Sequence, residues 1–402
     1  MALLTAVVAW LGVGVAALAL GYSAVAMAVL LRWERRRRTA PRGETPPVTV
    51  LKPLCGAEPE LYHNLRSFCD QDYPRFEVIF GVRSLEDPAV AVVERLKREF
   101  PWRRLELVVD EKLVGVNFKI SNLVNMMPRA RYDHLVVADS DIRVGPDYLA
   151  HVVNELADPE TGVVTCLYRG RPLPSLSSHL GALFIDAWFL PSVLVGRALG
   201  YGSFCFGATM ALHRSVLERI GGFESLAWHL ADDYVLGERV RAEGFKVTLS
   251  GYVVQTTVHE PGLRSLWHHE LRWVRTIRTV QPVGHAFSFI SFAIPVSLFG
   301  AMAAWGNPWA LAFPAAAFVL RTGMFLVVNR DRLVQALPDI ALVPVRAFMS
   351  FFVWALSFGS RRVRWRRQQL WVGPDGRMRQ HGETAIAKQV VVPRQRETEF
   401  RS

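Results

Sequence analysis

Asp139-Ser140-Asp141 places two carboxylates one residue apart. Such a pair makes a hard, oxygen-rich site suited to Mg²⁺ or Mn²⁺ brought in on a diphosphate. Upstream, Gly115-Val116-Asn117-Phe118-Lys119 combines a glycine that permits close approach with a lysine at a helix start, a place that favours phosphate. Downstream, Asp232-Asp233-Tyr234 opens a helix after Gly221-Gly222-Phe223. A carboxylate there reads as either a helix cap or a general base. Asp87, before Pro88, reads as either a cap or a contact to a nucleotide base at the end of a sheet. His269-Glu270-Leu271-Arg272-Trp273 lies on a basic, aromatic helix, where Trp and Arg favour the membrane interface.

These groups need a scaffold that brings them together. Residues 132–138 are a short, largely apolar run with β-branched Val136 and Val137, the pattern of a buried parallel strand. Further strands are predicted at 48–54, 76–82 and 105–109, and helices at 58–71, 88–100 and 119–127. This β-α alternation predicts an α/β domain with a mostly parallel sheet and helices on both faces. In open sheets of this kind ligands bind beyond the carboxyl ends of the strands, where Asp139 falls. The domain is assigned to residues 48–260, long enough for its own core.

The rest of the chain points to a membrane. Hydrophobic residues make up 51% of the 402 and charged residues 21%, an apolar balance for an enzyme. Residues 1–31 form an N-terminal transmembrane helix, since 3–31 exceed the roughly 20 apolar residues a bilayer needs. No charge precedes it, and Arg32 and Arg35 to Arg38 follow in a basic linker, 32–47. The positive-inside rule then puts the linker and the α/β domain in the cytoplasm. The +11 formal charge is therefore a topological signal, and nucleic acid is not an expected partner. The four cysteines form no Cys-x-x-Cys pair, which fits a reducing compartment. Residues 180–195 read as an apolar helix at the membrane surface or against the core. An interfacial helix follows at 261–284. Within 285–328, two apolar runs, 286–305 and 309–328, read as a transmembrane hairpin around Gly306-Asn307-Pro308, with Arg321 snorkelling to the cytoplasmic side. A segment at 336–360, carrying Asp339 and Arg346, is re-entrant, interfacial or spanning. The basic tail, 361–402, ends in an expected unstructured stretch.

In this order the motifs resemble the inverting GT-A glycosyltransferases of the processive-synthase superfamily. Within them the chain looks like the ceramide glucosyltransferase family and its bacterial relatives. That family carries three separated aspartate motifs and a final Gln/Arg-x-x-Arg-Trp. Asp87, Asp139 with Asp141, and Asp233 match the aspartates; Arg272-Trp273 matches the end, with His269 at its first position. Residues 205–210 and 269–273 look closest to the bacterial hopanoid-biosynthesis glycosyltransferase, which transfers N-acetylglucosamine from UDP-GlcNAc to bacteriohopanetetrol.

The resemblance implies a UDP-sugar donor, a lipid acceptor (hopanoid polyol or ceramide) and a bacterial inner, cytoplasmic membrane. It implies Mn²⁺ or Mg²⁺ at Asp139 and Asp141, and Asp233 as the base that takes the acceptor's proton. Pro53, Leu54, Gly56 and Asp87 would hold uridine. Asn117, Lys119, His269, Arg272 and Trp273 would line the donor site. A processive polysaccharide synthase shares the motifs but needs more membrane crossings, and a membrane scaffold leaves the aspartates without a purpose.

Overall fold

The computed structural model describes residues 2–36, 43–201, 204–304, 307–359, 362–365, 368–372 and 378–380. Arg37, Arg38, Gly306 and the end of the basic tail therefore lie outside the described residues.

Eight strands form one sheet: β1 (Val48–Pro53), β2 (Phe76–Val82), β3 (Arg104–Val109), β4 (His134–Val137), β5 (Ile142–Arg143), β6 (Thr161–Pro172), β7 (Met210–His213) and β8 (Lys246–Val258). Their order is β3-β2-β1-β4-β7-β6-β8-β5. β1 to β4 run parallel, as the alternation of strand and helix predicts. β7 reverses, pairing antiparallel with both β4 and β6, so the sheet is mixed. Every residue of β1 and β2 is buried, because helices cover both faces. Alternation along the strands divides the core in two: Val48, Val50, Val78 and Phe80 face Phe68 and Tyr148, while Leu51 and Ile79 face Ile120 and Leu212.

Among the described residues four helices are long and apolar enough to cross a membrane: Ala6–Arg35, Leu176–Ala198, Trp309–Val328 and Arg330–Ser357. The second differs from the others in being 72% buried inside the protein, against 28–33% for the rest. It leaves β6 and runs into the helical bundle, with a π-helical turn at Ile185–Phe189. Leu190 and Leu194 pack with Ala26 and Leu30 of the N-terminal helix and with Leu167 of β6. Sheet and bundle thus share a continuous apolar core.

The hairpin read from the sequence is not regular. Its first arm is broken into Pro282–Ser291 and Ala293–Ala303, bent by 66°. Pro295 favours the first turn of a new helix, and Phe292 adopts a non-helical backbone. The second piece, 11 residues, rises only about 16 Å, half a bilayer core. Arg321 does not snorkel. It is 1% exposed, donates to Ser291 O at 2.5 Å and to Ala187 O, and covers the Trp188 ring. The bend and the π-turn free those carbonyls, and Arg321 satisfies them in place of water.

Two further polar knots follow, the first tying sheet to bundle and the second tying the helix Leu263–Val280 to the helix Val343–Ser357. Buried Asp186 accepts from Gly170 N at 2.7 Å, Asn329 Nδ2 at 2.9 Å and Arg332 Nη2 at 3.1 Å. Arg346, 0% exposed, grips Glu270 bidentately at 2.5 and 2.7 Å and also donates to Ser350. Removing one partner of such a pair leaves an uncompensated buried charge, a loss of about 3–5 kcal/mol. Arg346→Met is therefore expected to lower the thermal unfolding midpoint of the detergent-solubilised protein sharply. Combining it with Glu270→Met recovers part of the loss. An unmoved midpoint in the single variant means the pair does not hold the bundle.

Candidate active site

The aspartates collect where the sheet predicts, beyond the carboxyl end of β4. The peptide N–H of Asp139 donates to Gly207 O at 3.2 Å, which docks the loop before β7 over the strand end. A Cβ at Gly207 would sit 2.7 Å from Asp139 Oδ2 and 3.0 Å from Lys119 Nζ, so a larger residue there would displace one of these two side-chain ends. Its own N–H donates to Asp233 Oδ2 at 2.9 Å. One loop residue therefore bridges the second and third aspartate motifs.

Lys119 makes the other bridge. Its Nζ lies 2.7 Å from Asp139 Oδ1 and 3.3 Å from Asp232 Oδ2. Burial opposes its charge, but Asp139, Asp232 and Asp233 outweigh that and hold its pKa above the ordinary lysine value. Asn117 positions it. The Asn117 side chain caps the helix Phe118–Met126 by accepting from Lys119 N and Ile120 N. Its amide donates to His229 O at 3.0 Å and Asp232 Oδ1 at 3.1 Å. Expected to line the donor site, Asn117 is instead fully buried with those four bonds. It orders the site from behind.

Asp141 faces β8, accepting from Thr256 Oγ1 at 2.7 Å. Burial, then repulsion from Asp139, pushes its carboxyl up to about 6. Burial and the neighbouring Asp232 likewise push Asp233 up to about 6, against the pull of Lys119 and two backbone N–H groups. A carboxylate with its pKa near neutrality suits general base catalysis. Burial, and then the charges of Asp233, Asp141 and Asp139, hold the Tyr168 phenol above its ordinary value.

Asp87 is the helix cap that one reading of the sequence expects. Oδ1 caps Ala89 N at 2.9 Å, and both oxygens accept from Gly56 N at 3.0 Å. Gly56 takes φ +80°, closed to most side chains. The loop of Pro53, Leu54 and Gly56 is thereby pinned to Asp87. It joins the first cluster through Lys52, the residue before Pro53. Lys52 is fully buried and donates to Asp139 O at 2.5 Å, its Nζ 3.8 Å over the Phe68 ring. Burial lowers its pKa to about 7, partly offset by Asp139 and Asp141.

The last motif stands apart. His269, Arg272 and Trp273 lie on the helix Leu263–Val280. His269 Nδ1 lies 2.6 Å from Glu260 Oε1, and the ring meets Trp273 edge-on at 4.7 Å. Burial would raise Glu260; bonds from His269 and Ser265 outweigh it and hold Glu260 below the usual range. Burial lowers Arg272 and Glu260 opposes this. Gln281 Nε2 donates to Tyr234 OH at 2.9 Å, tying the end of this helix to the residue after Asp233. Among the described residues no bond joins Arg272 to the aspartates. Sequence reasoning missed Asp232's bond to Lys119, and Lys52, Gly207, Tyr168 and Glu260. Lys52 had a signal, a lone charge in an apolar strand.

Comparison with known proteins gives the lineage. Ceramide glucosyltransferase 1 of Caenorhabditis elegans is 26% identical over 246 residues, covering 61% of this chain and 53% of that protein. A ceramide glucosyltransferase of Komagataella phaffii is 34% identical over 129 residues, covering 30% and 25%. The chain thus spans about half the length of the nematode relative. Among solved structures, the mannosyltransferase PcManGT from Pyrobaculum calidifontis, in complex with GDP-Man and Mn²⁺, aligns at 21% identity and TM-score 0.47 over 86% of this chain and 99% of its own. The family description "Glycosyl transferase family 21" matches residues 11–378, and the chain belongs to that family.

Proposed function

We propose that this protein is an inverting glycosyltransferase that moves a sugar from a UDP-sugar to the hydroxyl of a membrane lipid. The observation that carries this reading is the bonded cluster of Asp139, Asp232, Asp233 and Lys119, with Asp141 beside it, on a sheet fused to apolar helices. The finer assignment is N-acetylglucosamine from UDP-GlcNAc to bacteriohopanetetrol, supported by the likeness of residues 205–210 and 269–273 to the hopanoid enzyme. UDP-glucose to ceramide is the second reading, favoured by the ceramide glucosyltransferases among the curated relatives. The site belongs on the cytoplasmic side of a bacterial inner membrane.

Asp139 and Asp141 fit a divalent ion, Mn²⁺ or Mg²⁺. Their oxygens are hard, and the repulsion that raises Asp141 is relieved by a cation. Such ions take one or two carboxylates and complete their shell from phosphate and water. Among the described residues no cluster of three His, Cys, Asp or Glu groups forms, so the donor's phosphates would have to supply the remainder. When bound, the ion supplies positive charge opposite the departing diphosphate.

The protein's own groups do the rest. The Asp87-pinned loop of Pro53, Leu54 and Gly56 receives uridine. Lys119 and Arg272 add positive charge for the diphosphate, His269 offers a ring N–H, and Trp273 walls the sugar. Asp233 accepts the acceptor's proton as its oxygen attacks the anomeric carbon and the bond to UDP breaks. One base suffices, because UDP departs as an anion.

Offered UDP-GlcNAc and UDP-glucose with bacteriohopanetetrol and with ceramide, the purified protein is expected to yield a GlcNAc-hopanoid, read by mass. A hexosylceramide selects the second reading, and no transfer in any mixture removes the function. Asp233→Asn is expected to lower kcat by about 10²–10⁴-fold while keeping UDP affinity by calorimetry; lost UDP affinity argues against its role as base. Because Asp233 acts only when ionised and its pKa sits near 6, kcat rises with pH through about 6 and flattens above. A flat profile across that range assigns the proton to another group. Asp139→Asn is expected to abolish the Mn²⁺ dependence of UDP binding, and unchanged dependence relocates the ion.

A further inference from the structure

A second histidine–carboxylate pair lies outside the cluster just described. His179 Nδ1 is 2.7 Å from Asp339 Oδ1. His179 sits in the first turns of the helix Leu176–Ala198, and Asp339 in the segment Arg330–Ser357, both apolar enough to cross a membrane. Ionisable groups in such segments are costly, pair with one another and can mark a substrate path. This pair is not sealed: the side chains are 33% and 12% exposed.

Its surroundings are amphipathic. Leu176 is 55% exposed and Leu337 is 53% exposed, so an apolar residue flanks each partner on the solvent or lipid side. The residue that holds the final motif is close by. Ser175 Oγ donates to Glu260 O at 3.1 Å, and Ser178 Oγ accepts from Glu260 N at 2.9 Å. Glu260 in turn holds His269. Ser175 and His179 are four residues apart, hence on one helix face. The next residue, Leu180, offers its carbonyl to Arg346, the partner of Glu270. One end of one helix therefore carries His179 of the first pair and the serines that hold the Glu260 backbone of the second.

We propose that the His179–Asp339 pair is the seat for the polar head of the lipid acceptor. The bond between them engages Nδ1 and Oδ1; Nε2 and Oδ2 take no part in it. Nε2 lies across the ring from that bond, so it and Oδ2 can meet two different polar groups of one head, the carboxylate oxygen accepting from a hydroxyl. The carboxylate repels phosphate, so the ligand class is an uncharged hydroxylated headgroup, with its tail on Leu176 and Leu337. This inference rests on the proposed lipid glycosyltransferase activity.

The test is steady-state transfer by the full-length protein in detergent, with ceramide, dioleoylglycerol and bacteriohopanetetrol as acceptors. His179→Gln and Asp339→Asn are each expected to raise KM for the lipid that the wild-type protein glycosylates by about tenfold or more, the scale of a lost hydrogen bond to a charged group. UDP affinity by calorimetry stays within about twofold, which shows that the variants fold. Dioleoylphosphatidic acid, carrying a phosphate head, competes poorly with the acceptor. Unchanged acceptor KM in both variants, with transfer intact in the wild type, overturns this inference alone. If a variant misfolds, a photoreactive ceramide on wild-type protein decides. Labelling at 176–180 or 337–340 supports the seat, and labelling only elsewhere overturns it. No transfer by the wild-type protein to any of the three lipids overturns the activity and this inference with it.

Discussion

A single ammonium organises the candidate site. Lys119 stands between Asp139, at the end of a central strand, and Asp232, at the start of a helix some ninety positions later in the chain. Three carboxylates acting on one partly buried cation make its charge more stable than in water. The same arrangement keeps Asp139, Asp232 and Asp233 from forcing one another apart. Without the lysine, the desolvated carboxylates gathered by the fold would repel and take up protons. Asn117 and Gly207 serve this contact, one by fixing the helix that carries Lys119, the other by leaving space above Asp139.

The same dependence explains how the two aspartates at the head of the downstream helix divide their work. Asp232 is committed to Lys119 and Asn117. Asp233 accepts two backbone N–H groups and keeps a pKa near neutrality. Adjacent residues on a helix point about 100° apart, so one carboxylate can brace the site while its neighbour faces it.

Much of this was legible in the chain. Apolar runs that end in Asp139 or approach Asp87 announce buried strands with carboxylates at their carboxyl ends, because period and burial act locally. Asp87 was readable as the cap that Ala89 N receives, but its bond to Gly56 N was not, because that glycine lies 31 positions upstream. Contacts between distant segments were not legible. Lys52 looks like a strand residue until β1 is placed beside β4. Asn117 looks like a ligand contact until Asp232 arrives behind it. Arg321 looks like a snorkelling side chain because its acceptors, Ala187 O and Ser291 O, exist only after a π-turn and a bend release them. Broken helices are invisible to hydropathy, which counts apolar residues but not carbonyl directions.

Asp186 has a further consequence. One carboxylate gathers β6, the end of the helix Ala312–Val328 and the turn after it. A boundary drawn along the sequence between an enzyme and its anchor therefore does not exist in space. Cutting the chain at that line leaves one fragment with an unpaired buried charge and a bare apolar helix, and the other with unmatched donors. Catalytic and lipid-embedded parts are expected to melt as one cooperative unit. The smallest piece of this chain able to fold with its site intact includes the membrane helices.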